Sequence, residues 1–210
     1  DDLAGACALI EAYSRAKKPE GLVICLTRAE ENGFHGALAV LEKKVFNSQK
    51  TVMISVETSA HLQNVEPGKG PVVRLGDRTS TFHGGLMYWI ESFAKKLASG
   101  PVGTIHKKTG FSYQKRIMDG GSCEATAFQS YGFIVGGLSI PLIGYHNVGP
   151  DKEAVYEEVN LDDVEKMTAL LAEIMKNIKT LPAPTKLAFE IFQPLRKALQ
   201  KEHFKERKRF

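Results

Sequence analysis

The sequence is short of the residues on which several function classes depend. Its three cysteines, Cys7, Cys25 and Cys123, stand far apart and form no Cys-x-x-Cys pair. That excludes a disulfide framework and a cysteine-type zinc finger, and it makes a reducing, cytoplasmic compartment the expectation. The longest apolar runs reach about eight residues, around Ile134–Ile143, so no membrane span is expected. The chain opens Asp1-Asp2 without basic, apolar and cleavage regions in order, and no signal peptide is expected. Neither Gly-x-Gly-x-x-Gly nor a Walker lysine occurs. Gly33 and Gly36 therefore read as turn and helix-packing residues rather than as a phosphate cradle.

A basic face is missing as well. The formal charge of the 210 residues is +4, but Lys186 to Phe210 holds eight Lys/Arg and three Glu. That segment carries +5 and leaves −1 for everything before it. A nucleic-acid partner, which needs positive charge on the fold itself, is not expected. What remains is ordinary globular material, 43% hydrophobic and 25% charged, enough for one domain with its own core.

Periodicity gives the coarse organisation. Leu3–Ala16 has Leu3, Ala6, Cys7, Ile10 and Tyr13 on one helical face. Gly21–Thr27 (GLVICLT) and Thr51–Val56 read as buried strands. Phe34–Lys44, Leu86–Ala98, Glu124–Tyr131 and Leu161–Ile178 read as helices, and Val72–Leu75 and Ile134–Ile140 as strands. Phe111–Met118 fits either state. Strands alternating with helices predict an α/β fold, a mixed, mostly parallel sheet with helices on both faces. The domain is expected over 1–179, a Pro-containing linker over 180–185 (TLPAPT covers it), and a basic, helical tail over 186–210.

Chemistry is expected where strands end in open sheets of this class. Glu30-Glu31 follows the first strand, Glu57 ends the second, and His146 follows the segment Pro141–Gly144. Adjacent buried carboxylates repel one another and lose hydration, and a divalent cation relieves both penalties. Carboxylate and imidazole are donors that zinc, cobalt and manganese accept. A solvated loop is the plainer reading of an isolated Glu-Glu pair. An aspartate before the first helix is a cap or a ligand.

Together these motifs resemble the cocatalytic zinc exopeptidases, the M28, M20 and M42 peptidases, and the M42-like aminopeptidases most. The resemblance rests on Asp1 with Gly5 in an Asp-x-x-x-Gly motif, on Glu30-Glu31 before a glycine turn and helix, on Glu57 in Ser55–Thr58, and on His146 in Pro141–Asn147. It implies a metal-dependent hydrolase, an aminopeptidase using two divalent ions, zinc first with cobalt or manganese as alternatives. Asp1 would bridge the ions, Glu31 and His146 would complete one, Glu57 would bind the other, and Glu30 would be the general base for a metal-activated water. Apart from the resemblance, Gly120 and Gly121 read as letting backbone approach the substrate or as a simple turn. The partners implied are a peptide or small amide substrate and other copies of the chain in a homo-oligomer.

Two departures are visible. No histidine stands in the family's His-x-Asp context, and Ser122-Cys123-Glu124 stands where Gly-Thr-Asp is common. The chain is accordingly read as the carboxy-terminal part of a catalytic domain whose amino-terminal part is missing. An inactive binding or scaffold subunit with the same fold is the alternative. A third reading makes Cys123, at a helix start, the nucleophile of an amidase with His146. Trp89, Phe93 and Tyr88 read as core or interface, and Arg74, Asp77 and Arg78 as a solvated loop or contacts to substrate termini.

Overall fold

A computed structural model describes residues 2–187, apart from 63, together with Gln193 and Lys197. The tail expected over 186–210 therefore lies almost entirely outside the described residues. The main elements are α1 (Leu3–Arg15), α2 (His35–Glu42), β1 (Val52–Ala60), β2 (Val72–Asp77), α3 (Gly84–Ala98), β3 (Gln114–Met118), α4 (Glu124–Ser130), β4 (Ile134–Ile143), β5 (Glu158–Val159) and α5 (Leu161–Lys176).

The sheet runs β1-β4-β2-β3, with β5 paired to β4. β1 and β4 are parallel over their full paired length, as are β2 and β3, while β2 runs antiparallel to β4. β4 is central because it alone is apolar on both faces: nothing between Val135 and Leu142 is exposed. Alternate residues of a strand point to opposite faces. On one face of β4, Gly136 lies under Leu86, Met87 and Ile90 of α3. On the other, Gly137 lies under Phe82 and beside Arg74. Helices thus cover both faces: α3 packs against α5 and α5 against α1 on one, and the start of α4 adjoins the other beside Glu57.

Three expectations from the sequence are corrected. Of the expected strand Gly21–Thr27, Gly21 lies in a turn, and residues 22–27 form no regular element, pair with no strand among the described residues and include no buried residue. Leu22–Cys25 and Val52–Ile54 instead line opposite sides of an apolar cleft of about 380 Å³, and Val23 and Leu26 are exposed. An apolar β-branched run reports a preference for extended backbone and not the presence of a neighbour to pair with.

The helix α1 buries Gly5, Ala8 and Ala12 against α5, leaving Leu3 80% exposed and Ile10 56% exposed. Small residues let two helices approach closely, and a count weighted toward large apolar residues selects the wrong face. The strand expected at Val72–Leu75 is present as β2, but Arg74 and Asp77, read as solvated or as contacts to substrate termini, are buried in it, at 2% and 5% exposure. Gln114–Met118 settles the ambiguous segment as a strand.

Candidate active site

The amino-terminal helix brings the first acid to the site. Asp2 caps α1, its Oδ1 accepting from the Gly5 N–H at 2.8 Å. A Cβ at residue 5 would collide with that carboxylate, so the glycine of the Asp-x-x-x-Gly motif is the space the cap occupies. Asp1, the expected bridging ligand, lies outside the described residues.

Asp2, Glu30, Glu31, Glu57 and Glu124 line one open cleft of about 550 Å³, together with Arg74, Gly120, Gly121, Ser122 and Tyr145. Glu30 and Glu31 sit on the turn before α2, which Phe34 enters in the left-handed region, with Gly33 and Phe34 N–H groups donating to the Glu30 carbonyl. Glu57 lies within β1 rather than at its end, opposite Ser139 of β4. Its Oε1 accepts from Ser55 Oγ at 2.6 Å, and its Oε2 stands 3.7 Å from Arg74 Nη1. Glu124 opens α4 and accepts from the Thr27 hydroxyl.

His146 follows β4 in a short helical turn, and Gly144, His146 and Asn147 all have positive φ. Left-handed backbone is costly for residues with a Cβ. Here it turns the His146 ring back toward Glu31, with Nε2 3.2 Å from Oε1. The Tyr145 ring stacks on the imidazole at 3.8 Å between centroids, and Glu157 accepts from the His146 N–H at 2.9 Å.

The acids destabilise each other's charge. Burial, then repulsion from Glu57 and Glu31, pushes the Glu30 carboxyl up to about 7. Burial also raises Asp2 to about 7, against the opposing hydrogen bond from Gly5. Glu57 is raised by burial too, opposed by Arg74 and Ser55. Carboxylates and an imidazole with this unrelieved negative charge are donors suited to a divalent cation. Among the described residues, no three His, Cys, Asp or Glu side chains converge closely enough to hold an ion by themselves. Glu31 and His146 are in direct contact.

Gly120 and Gly121 line the cleft, and each has room for a Cβ, so sterics do not demand glycine at either position. Cys123 is 1% exposed, and its thiol donates to Asp77 Oδ2 at 3.5 Å. Burial drives its pKa far up, the opposite of an activated nucleophile. Trp89 and Phe93 belong to the core, while Tyr88 is exposed. Sequence reasoning does not single out Glu124 as a cleft acid, offers Asp2 only as one of two aspartates before the first helix, and does not place Arg74 beneath the cleft. An arginine inside the apolar run Val72-Val73-Arg74-Leu75 was the available signal for a buried charge with a purpose.

The fold is an open mixed α/β sheet with acids from a helix cap, a turn, a strand and a helix start gathered in a cleft beside it. The description of M42 glutamyl aminopeptidase matches residues 1–170, and the chain belongs to that family. Among solved structures it is similar to PhTET1-12s, a dodecamer, at 26% identity and TM-score 0.65 over 83% of this chain and 48% of that one. It is similar to the Pyrococcus horikoshii TET1 peptidase, which can assemble into a tetrahedron or a large octahedral shell, at 25% identity and TM-score 0.63, covering 83% and 48%. The TET aminopeptidase of a marine sediment Thaumarchaeota archaeon shares the fold at 22% identity and TM-score 0.63, covering 85% and 48%. The chain spans about half the length of these structures. Among the described residues no helix is long and apolar enough to cross a membrane.

Proposed function

We propose that this chain supplies the acidic half of a metal-dependent aminopeptidase site that hydrolyses the amino-terminal peptide bond of a peptide or small amide. The observation that carries the reading is the gathering of Glu30, Glu31 and Glu57 around one cleft, with His146 against Glu31. Glu31 and His146 would hold one divalent ion and Glu57 a second, with Asp1 between them. Such ions, when bound, supply Lewis-acid charge that acidifies water and stabilises an oxyanion.

The chain's own part follows from its residues. Glu30, half-buried with its carboxyl raised to about 7, is matched to taking a proton from water near neutrality and returning it to the leaving amine. Asp2 keeps the start of α1 in place and adds negative charge that favours a substrate ammonium group. Gly120 and Gly121 offer backbone to the substrate. Zinc as the native metal, assembly with further copies and a cytoplasmic location belong to the same reading, as does the division into domain 1–179, linker 180–185 and tail 186–210.

A fold retained for binding without turnover is the second reading, favoured by the lack of a three-donor set among the described residues. Release of p-nitroaniline from aminoacyl-p-nitroanilides separates the two. It is measured for this chain alone and joined to the half of the fold that the similar structures have in addition. The proposal expects turnover in the joined form that a chelator abolishes and zinc, cobalt or manganese restores. Chelator-insensitive turnover, or none in either form, contradicts it.

A further inference from the structure

We infer that Ser55 and Arg74 are positioning residues that hold Glu57 by its two carboxylate oxygens, one each, and leave one aspect of the carboxylate to face a cation in the cleft. The inference rests on the reading of Glu57 as a metal ligand.

The grip is written into strand register. Ser55 and Glu57 are two apart on β1 and share a face. Ser55 and Arg74 are both opposite Gly137 of the intervening strand β4. Neighbouring strands lie about 4.8 Å apart, so Arg74 must reach across roughly 10 Å of sheet to meet a side chain of β1. It can do so because residue 137 has no side chain. A Cβ there would stand 3.4 Å from Arg74 Cβ and would run into the Phe82 ring. The guanidinium crosses that gap, 5.9 Å over the Phe82 ring, and ends 3.7 Å from Glu57 Oε2. Ser55 Oγ donates to the other oxygen, Oε1, at 2.6 Å.

Two further facts show that Arg74 is not there merely to be paired. It is 2% exposed, yet its Nε and Nη1 make no hydrogen bond with the described residues. A buried guanidinium left so costs stability unless something else needs its charge and direction. Its position beneath the cleft, facing the one acid that Ser55 also holds, gives it that use. Partners behind a metal ligand fix its orientation, and losing one typically costs about 10- to 100-fold in metal affinity.

The test is zinc binding to the full chain by isothermal titration, with thermal unfolding in chelator as the control for folding. Ser55→Ala removes one arm without changing charge. Arg74→Lys keeps the charge near the site but shortens the reach, so a change in affinity reports orientation rather than lost repulsion. Both variants are expected to bind zinc about 10-fold or more weakly, and their cobalt forms to show altered visible absorption bands. Both variants are required to unfold cooperatively in chelator well above the temperature of the titration, so weaker binding cannot be ascribed to an unfolded chain. Zinc binding by the unaltered chain that both variants match overturns this inference alone. No zinc binding by the unaltered chain overturns the reading of Glu57 as a ligand, and this inference with it.

Discussion

Asp77 offers a stringent prediction, because one buried carboxylate organises the wall of the cleft. Its Oδ1 accepts from the Thr79 and Ser80 N–H groups, each at 2.8 Å. Its Oδ2 accepts from the buried Cys123 N–H at 3.1 Å and from Thr126 Oγ1 at 2.6 Å. These bonds tie the end of β2 to the loop that carries Gly120, Gly121 and Ser122 and to the start of α4, which carries Glu124. Asp77→Ala removes the acceptor of these four donors, and of the weaker contacts from the Ser80 hydroxyl and the Cys123 thiol. Hydrogen bonds to a charged group contribute about 1.5–3 kcal/mol each, but not additively, and water can serve the partly exposed donors. A loss of about 3–5 kcal/mol is expected, near 10 °C in melting temperature for a domain of this size. Asp77→Asn keeps one strong acceptor and should lose roughly half as much.

Acidity supplies a second check on the same residue. Burial alone would raise the Asp77 pKa, but the hydrogen bonds from Thr126, Thr79, Ser80 and Cys123 outweigh it and hold the carboxyl below its ordinary value. A depressed folded-state pKa gives stability that is present above the unfolded value, about 3.9, and lost as pH falls through the folded one. The gap between wild type and Asp77→Ala, measured by urea unfolding, should therefore be full at pH 7 and shrink as pH falls below about 3.9 and on through the lower folded value. A loss under about 1 kcal/mol at neutral pH, within the range of one ordinary hydrogen bond, would refute the reasoning.

Three more outcomes follow from single residues. Glu30→Gln, in the joined form used for the turnover assay, should keep its metal and lose most turnover; equal turnover removes Glu30 from the role of base. Under native conditions, iodoacetamide should modify the exposed Cys7 and Cys25 and spare the buried Cys123, and mass spectrometry of the peptides shows whether the order holds. Gly70 has φ +94°, its N–H donates to the buried Asp163 at 2.6 Å, and a Cβ there would run into the Ser112 carbonyl. Gly70→Ala should therefore cost upward of about 2 kcal/mol; a melting temperature within 2 °C of wild type would show that the loop accommodates it.

The elements most legible in the sequence were those whose pattern is local. Leu86–Ala98 and Leu161–Ile178 repeat their apolar residues at helical spacing over three or more turns, and α3 and α5 follow that spacing closely. The apolar run at Ile134–Ile140 marked β4 because burial on both faces leaves no alternation to misread. Pairing was not legible. Gly21–Thr27 has the composition of a strand, but a ladder needs a neighbour, and neighbours are set by the whole topology. Arg74 and Asp77 were hidden for a related reason. Arg74 falls in the expected strand Val72–Leu75, but glycine- and proline-rich surroundings set its side chain and Asp77 toward solvent, whereas the gap at Gly137 that admits Arg74 exists only once β2 and β4 are aligned.

The candidate site divides along the same line. Glu30, Glu31, Glu57 and His146 could be named from their positions after apolar segments, and the fold brings the first three to one cleft with His146 touching Glu31. What holds those groups is tertiary: the left-handed turn under His146, the Ser55 hydroxyl and the guanidinium from a strand two places away.

The account stands or falls on whether that cleft binds a divalent ion through these side chains. Anomalous diffraction at the zinc edge, from crystals of the chain soaked in zinc, reads this directly. The account predicts a peak bridged by Glu31 and His146 with a further one beside Glu57. Zinc found only at sites elsewhere on the surface, with the cleft empty, would contradict it.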